Sequence, residues 1–197
     1  MSEWASYELS DFLMFSAATY WRLVERLNTD AWPLQVIAMA TGLVLVWMVA
    51  AGKKLSVPAT GAVLALAWFS VGWNFHWQSF APINWGARYL AWAFWVQAML
   101  LMGVALRPGP RAAPSVRTRW AGVVVALVAV IIYPAITALI GGSPARAEFA
   151  GFMPEPTALA TVGLLVATRT TRHGLLLTIP VLSVVIGWTM LRLLHLQ

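Results

Sequence analysis

From Pro33 onward the chain alternates long apolar runs with short polar turns. The runs Pro33 to Ala51, Val57 to Trp77, Ile83 to Leu106, Trp120 to Ile140 and Leu175 to His195 each predict a membrane helix, since apolar stretches near or above 18 residues match the bilayer core. Asn28, Thr29 or Asp30 can cap the first run, and Pro33 suits its opening turn. The loop "RPGPRAAPSVRTR", Arg107 to Arg119, is too rich in proline and arginine for a helix to cross.

Two segments break this pattern. Upstream of Pro33, Tyr20, Leu23, Val24 and Leu27 recur at helical spacing while Arg22, Glu25 and Arg26 turn away. That predicts an amphipathic helix too charged to span, lying in the outer interface or folded as a lid over the bundle mouth. The second is "EFAGFMPEPTALATVGLLVATR". Pro156 to Thr168 supplies about 20 Å of helix, short of a full span. Either Pro156 opens a short or tilted helix with Glu155 at its positive end, or the span is broken at membrane depth by Gly151, Pro154 and Pro156. The expected architecture is an all-α polytopic membrane helix bundle. Residues 1–31 form an amphipathic interfacial segment, and residues 32–197 a domain of about six transmembrane helices.

Composition sharpens this. Only 10% of residues are charged and 60% are hydrophobic, so the chain cannot clothe itself for water. The net charge of +6 would suit nucleic acid, but the cations sit in short loops between apolar runs, which excludes that partner and points to the lipid bilayer. Of 13 Lys and Arg, eight fall in the loops after the first, third and fifth spans and five on the opposite side, which also holds all seven acids. The eight-cation side is expected to be cytoplasmic and both termini periplasmic. Acids near the start, with no early apolar run, predict that no signal peptide is removed. With no cysteine, disulfides and thiolate metal sites are out.

Candidate chemistry concentrates at the outer hairpin. On α-helical spacing, Trp73, His76 and Trp77 share one face of the second span, while Asn84 and Arg88 share a face of the third. Trp92 and Trp95 lie roughly 12–18 Å along the helix from Asn84, deeper than an interfacial aromatic belt reaches. Belt and snorkelling arginine is one account; a polar-aromatic pocket is the other. Glu155 completes the candidate solute or cofactor site, with Arg88 as its expected partner. No cofactor is required by the sequence. His76 or His195 could ligate a haem or pigment, but no metal-ligand spacing supports it. No catalytic signature is present, so the chain is not read as an enzyme. Gly61 and Ala65 offer a close helix contact, within a bundle or between copies.

The patches "DFLMFSAATYWRLVERLNTDAWPLQ", "INWGARYLAWAFWVQAMLLM" and "FMPEPTALATVGLLV" together resemble an uncharacterised family of small bacterial multi-pass membrane proteins. The resemblance implies a bacterial inner-membrane location and no particular chemistry. The residues themselves favour a channel or transporter for a small solute or ion. The alternative is a non-enzymatic accessory or assembly subunit of a larger membrane complex, or a homo-oligomer, in contact with a pigment, haem or quinone.

Overall fold

A computed structural model of the chain describes residues 15–53, 57–107, 113–168 and 173–195. Residues 1–14 of the N-terminal segment, parts of the basic loops (54–56, 108–112 and 169–172) and the side chain of His195 lie outside the described residues. The described chain is all helical, as the apolar pattern predicts. Its elements are α1 (Ala17–Ala31), α2 (Leu34–Ala50), α3 (Val57–Ser70), α4 (Ala87–Leu106), α5 (Val116–Leu127), α6 (Tyr133–Gly141), α7 (Pro154–Thr168) and α8 (His173–His195).

Two of these helices continue through wider π turns. Val71–Phe80 extends α3, and Val128–Ile132 joins α5 to α6 as one rod. The second has a plain cause. Pro134 has no N–H and its ring crowds the carbonyl one turn back, so the backbone opens just before it.

Three helical stretches are long and apolar enough to cross a membrane: Ala87–Leu106, Val116–Gly141 and Gly174–Leu193. α1 and α2, bent by 87° at Trp32 and Pro33, could make a fourth as one broken span. α2 alone has 17 residues and α7 has 15, both short by this measure.

Small residues set the packing. α3 and α4 form a hairpin in which a Cβ at Gly61 would stand 2.8 Å from that of Ala105, so this close contact forms within one chain. α7 is the hub, packed between α5 and α8 and also touching α2. Its approach to α5 is backbone on backbone: a Cβ at Gly122 would meet the Gly163 carbonyl at 2.5 Å, and one at Gly163 would meet the Ala126 nitrogen at 2.5 Å. Nearly all of α7 is buried, which its short apolar run did not announce. Buried polar groups tie the hub to its neighbours. Trp68 Nε1 donates to Thr161 Oγ1 at 2.8 Å, and Gln97 Nε2, from α4, donates to the Leu176 carbonyl of α8 at 2.9 Å.

Candidate functional site: a buried carboxyl pair beneath the first helix

α1 starts where Ser16 caps it, its hydroxyl accepting from the Thr19 amide at 3.3 Å. One stripe of the helix, Tyr20, Val24 and Asn28 at four-residue spacing, is buried against the segment that links α6 to α7. Asn28 Nδ2 donates to the carbonyls of Ala145 and Ala147 at 2.8 and 2.7 Å, and Gln35 Nε2 donates to the Asn28 carbonyl at 2.6 Å. Outside this core, Arg146 Nε reaches Glu25 Oε1 at 2.7 Å. The buried stripe of α1 thus packs on the bundle, and its charged residues lie outside that stripe.

Under α1 lies Glu148, which is 0% exposed. Its amide donates to Thr137 Oγ1 at 2.9 Å, and its carboxyl accepts from the Tyr20 hydroxyl at 2.8 Å. Tyr133, half-buried on α6, lies near enough to act on this carboxyl, and Trp188 on α8 acts on Tyr133 in turn. The chain then turns through Gly151, whose φ of +91° suits glycine and whose amide donates to Thr157 Oγ1 at 2.7 Å. α7 follows at once, so Pro154, Glu155 and Pro156 form its first turn and the irregular backbone precedes the helix. Glu155 is 3% exposed and faces α8, where its carboxyl fills the space that a side chain at Gly187 would need.

The two carboxyls are therefore neighbours. Burial first, then the charge of Glu155, push the Glu148 carboxyl up to about 8, while the hydrogen bonds from Tyr20 and Tyr133 pull the other way. Burial and the same carboxyls hold the Tyr20 phenol well above its ordinary range, so it remains a donor. Among the described residues Glu148 Oε2 and Glu155 Oε2 have no hydrogen-bond partner, and no lysine or arginine acts on either group. Such a pair holds one negative charge at most unless a cation joins it.

The other expected site residues gather elsewhere. Trp95 is a hub of indoles, its ring 6.1 Å from Trp73, 5.0 Å from Trp92 and 5.5 Å from Trp77. Gly72 makes room for it: a Cβ there would lie 2.7 Å from Trp95 Nε1. This ladder lies on the outer flank of the α3–α4 hairpin, with Trp73 and Trp92 exposed. Arg88 is exposed and stacks over Trp77 at 5.6 Å, and the described ion pairs, Arg26–Asp30 and Arg146–Glu25, do not include it. Asn84 Oδ1 accepts from the Gly86 amide at 2.9 Å and shapes the turn before α4.

His76 separates from Trp73 and Trp77. In the π segment the bonds reach five residues back, so residues four and five apart align and those three apart do not. Val71, Phe75, His76 and Phe80 consequently point inward. His76 is caged by Phe75, Phe80 and Phe94, and neither ring nitrogen has a partner. Among the described residues no three His, Asp or Glu side chains converge as a metal site.

Thus only Glu155, of the residues singled out from sequence, sits in the carboxyl cluster. Glu148, Tyr20, Tyr133, Trp188 and Gly187 were missed. One signal was available: Tyr133 and Thr137 are the two hydroxyls in the otherwise apolar run from Val123 to Ile140, on either side of a proline.

No curated protein and no solved structure matches this chain. A family model matches residues 17–197, from the first residue of α1 through every member of the carboxyl cluster: the chain belongs to DUF6064, a family of unknown function.

Proposed function

We propose that the protein is an integral membrane transporter or channel for a small solute or ion, in which Glu148 and Glu155 form the proton- or cation-binding element. The pair itself carries this reading: two neighbouring, buried carboxyls, each with an unpartnered oxygen and, among the described residues, neither balanced by a basic side chain. As mere structure such a pair is a poor choice, because apolar residues would pack there at no loss of stability. Ionisable groups facing the interior of a membrane bundle mark ion pathways and proton relays.

The reading includes six spans: α2, α3 with its π extension, α4, the α5–α6 rod, α7 and α8. Walled by protein, α7 need not match the lipid thickness with its 15 residues, about 22 Å of helix. The cation bias of the loops puts the carboxyl pair, α1 and both termini on the periplasmic side of a bacterial inner membrane. The packing of α1 on the Pro144–Arg146 turn supports a common side for those two elements.

Proteoliposomes loaded with a pH-sensitive dye, under an imposed potassium diffusion potential, test this. The wild-type chain moves protons above the protein-free rate, and Glu155→Gln lowers that movement at least tenfold. Equal rates in the two proteins would remove the pair from the mechanism.

A second reading, an accessory subunit of a larger membrane complex, is favoured by the exposed flank of Trp85, Tyr89 and Trp92. Mild-detergent purification distinguishes it: a stoichiometric larger subunit co-purifies under that reading, and the chain runs alone under the first.

A further inference from the structure

A groove of about 1120 Å³ runs along the side of the bundle, between the α1–α2 elbow and α3. It is larger than the roughly 300–1,000 Å³ of a site for a drug-sized molecule. Its walls are graded. At the α1 end it is lined by Arg22, Arg26, Asp30, Asn74, Gln78 and Ser79. Further along, the lining is Leu34, Ile37, Leu45, Val46, Leu64 and Leu66.

The gradient follows from the helices themselves. α1 offers residues 19, 22, 23, 26, 27 and 30, one helical stripe carrying both arginines. α3 is aliphatic near Val63 and becomes polar in its π extension, which packs under α1. The apolar part along α2, from Leu34 to Val46, is about 18 Å long. That is close to one leaflet of a hydrocarbon core about 30 Å thick.

We propose that this groove binds a membrane phospholipid with an anionic headgroup, its phosphate between Arg22 and Arg26 and an acyl chain along α2. The charges at the mouth select the headgroup. Two arginines face one acid, Asp30, which lies 3.7 Å from Arg26 and leaves a net positive charge. The apolar walls set the rest of the ligand: a tail of one-leaflet length satisfies them, and a soluble anion does not. The site is separate from the carboxyl pair, since Thr157, Ala160 and Leu164 line the groove from the side of α7 opposite Glu155.

Because the chain has no cysteine, a single one reports on the groove cleanly. In dodecyl maltoside, Thr41→Cys, on the groove wall, is labelled with a maleimide in the presence of phosphatidylglycerol or phosphatidylcholine. Phosphatidylglycerol is expected to slow labelling at least fivefold and phosphatidylcholine less than twofold. Leu139→Cys, 81% exposed and outside the groove, is unaffected by either lipid. Adding Arg22→Gln and Arg26→Gln abolishes the protection while Leu139→Cys labelling in the same background stays normal, which shows that the variant is folded. Equal slowing by both lipids overturns the headgroup assignment. Slowing by glycerol phosphate alone makes it a free-phosphate site. Slowing that grows with protein concentration and needs no lipid assigns the groove to a second copy. No slowing by anything overturns the site.

Discussion

Glu148 and Glu155 are seven residues apart, on either side of a glycine turn, yet inside the protein the charge of one carboxyl acts on the other. That arrangement has a measurable signature. Folding raises the Glu148 carboxyl from about 4.5 to about 8, so the native state holds a proton that the unfolded chain releases. The resulting stabilisation is complete below about 4.5, shrinks as the pH rises and is lost above about 8. The unfolding temperature in detergent should therefore fall between pH 5 and pH 8, and Glu148→Gln should flatten the slope over that range. A wild-type midpoint that is constant or rises with pH would contradict the burial of this group. Glu155 stood out from sequence because prolines flank it. Glu148 did not, because its hydrogen-bond partner Tyr20 lies far off in the chain, and residue spacing says nothing about contacts across 128 positions.

At the scale of elements, apolar periodicity reports length and face reliably as long as the helix is an α-helix. It located α4, the α5–α6 rod and α8 to within a few residues. It failed for His76, where ten residues of π-helix shift the repeat and send the imidazole inward, away from Trp73 and Trp77. It also missed how α5 meets α7, because Gly122 and Gly163 read simply as interruptions in apolar runs. Their role is close approach. Gly122→Ala should force the two backbones apart and destabilise the protein by about 1–3 kcal/mol. Gly103→Ala is the control: nothing lies within 4 Å of its Cβ position, and alanine improves helix propensity by up to about 1 kcal/mol. Denaturation midpoints of the two variants should move in opposite directions; a common direction would mean that backbone contact is not what holds α5 to α7.

Across the whole molecule, the loop charges offer an orientation and the contacts offer a sidedness, and the two can be compared directly. Ala145, beside α1, and Ser115, at the start of α5, lie at opposite ends of the rod that joins them. In intact cells an impermeant maleimide should label Ala145→Cys and leave Ser115→Cys untouched until the membrane is opened. The reverse pattern would invert the molecule. What the sequence could not convey at this scale is that its shortest apolar run, α7, is its centre. Hydropathy measures affinity for lipid, and α7 is mostly covered by protein; its place is set by Gly163 against Gly122, and by Thr161, which accepts the Trp68 indole N–H.

That central position bears on the order in which the molecule can be assembled. α7 leaves the ribosome before α8, and the wall that Glu155 leans on, Gly187, belongs to α8. Until α8 arrives, the carboxyl of Glu155 has no completed shelter, and α7 has neighbours on only some of its sides. α8 therefore acts as a keystone: it closes the bundle around a carboxyl that an apolar surrounding alone would not accept.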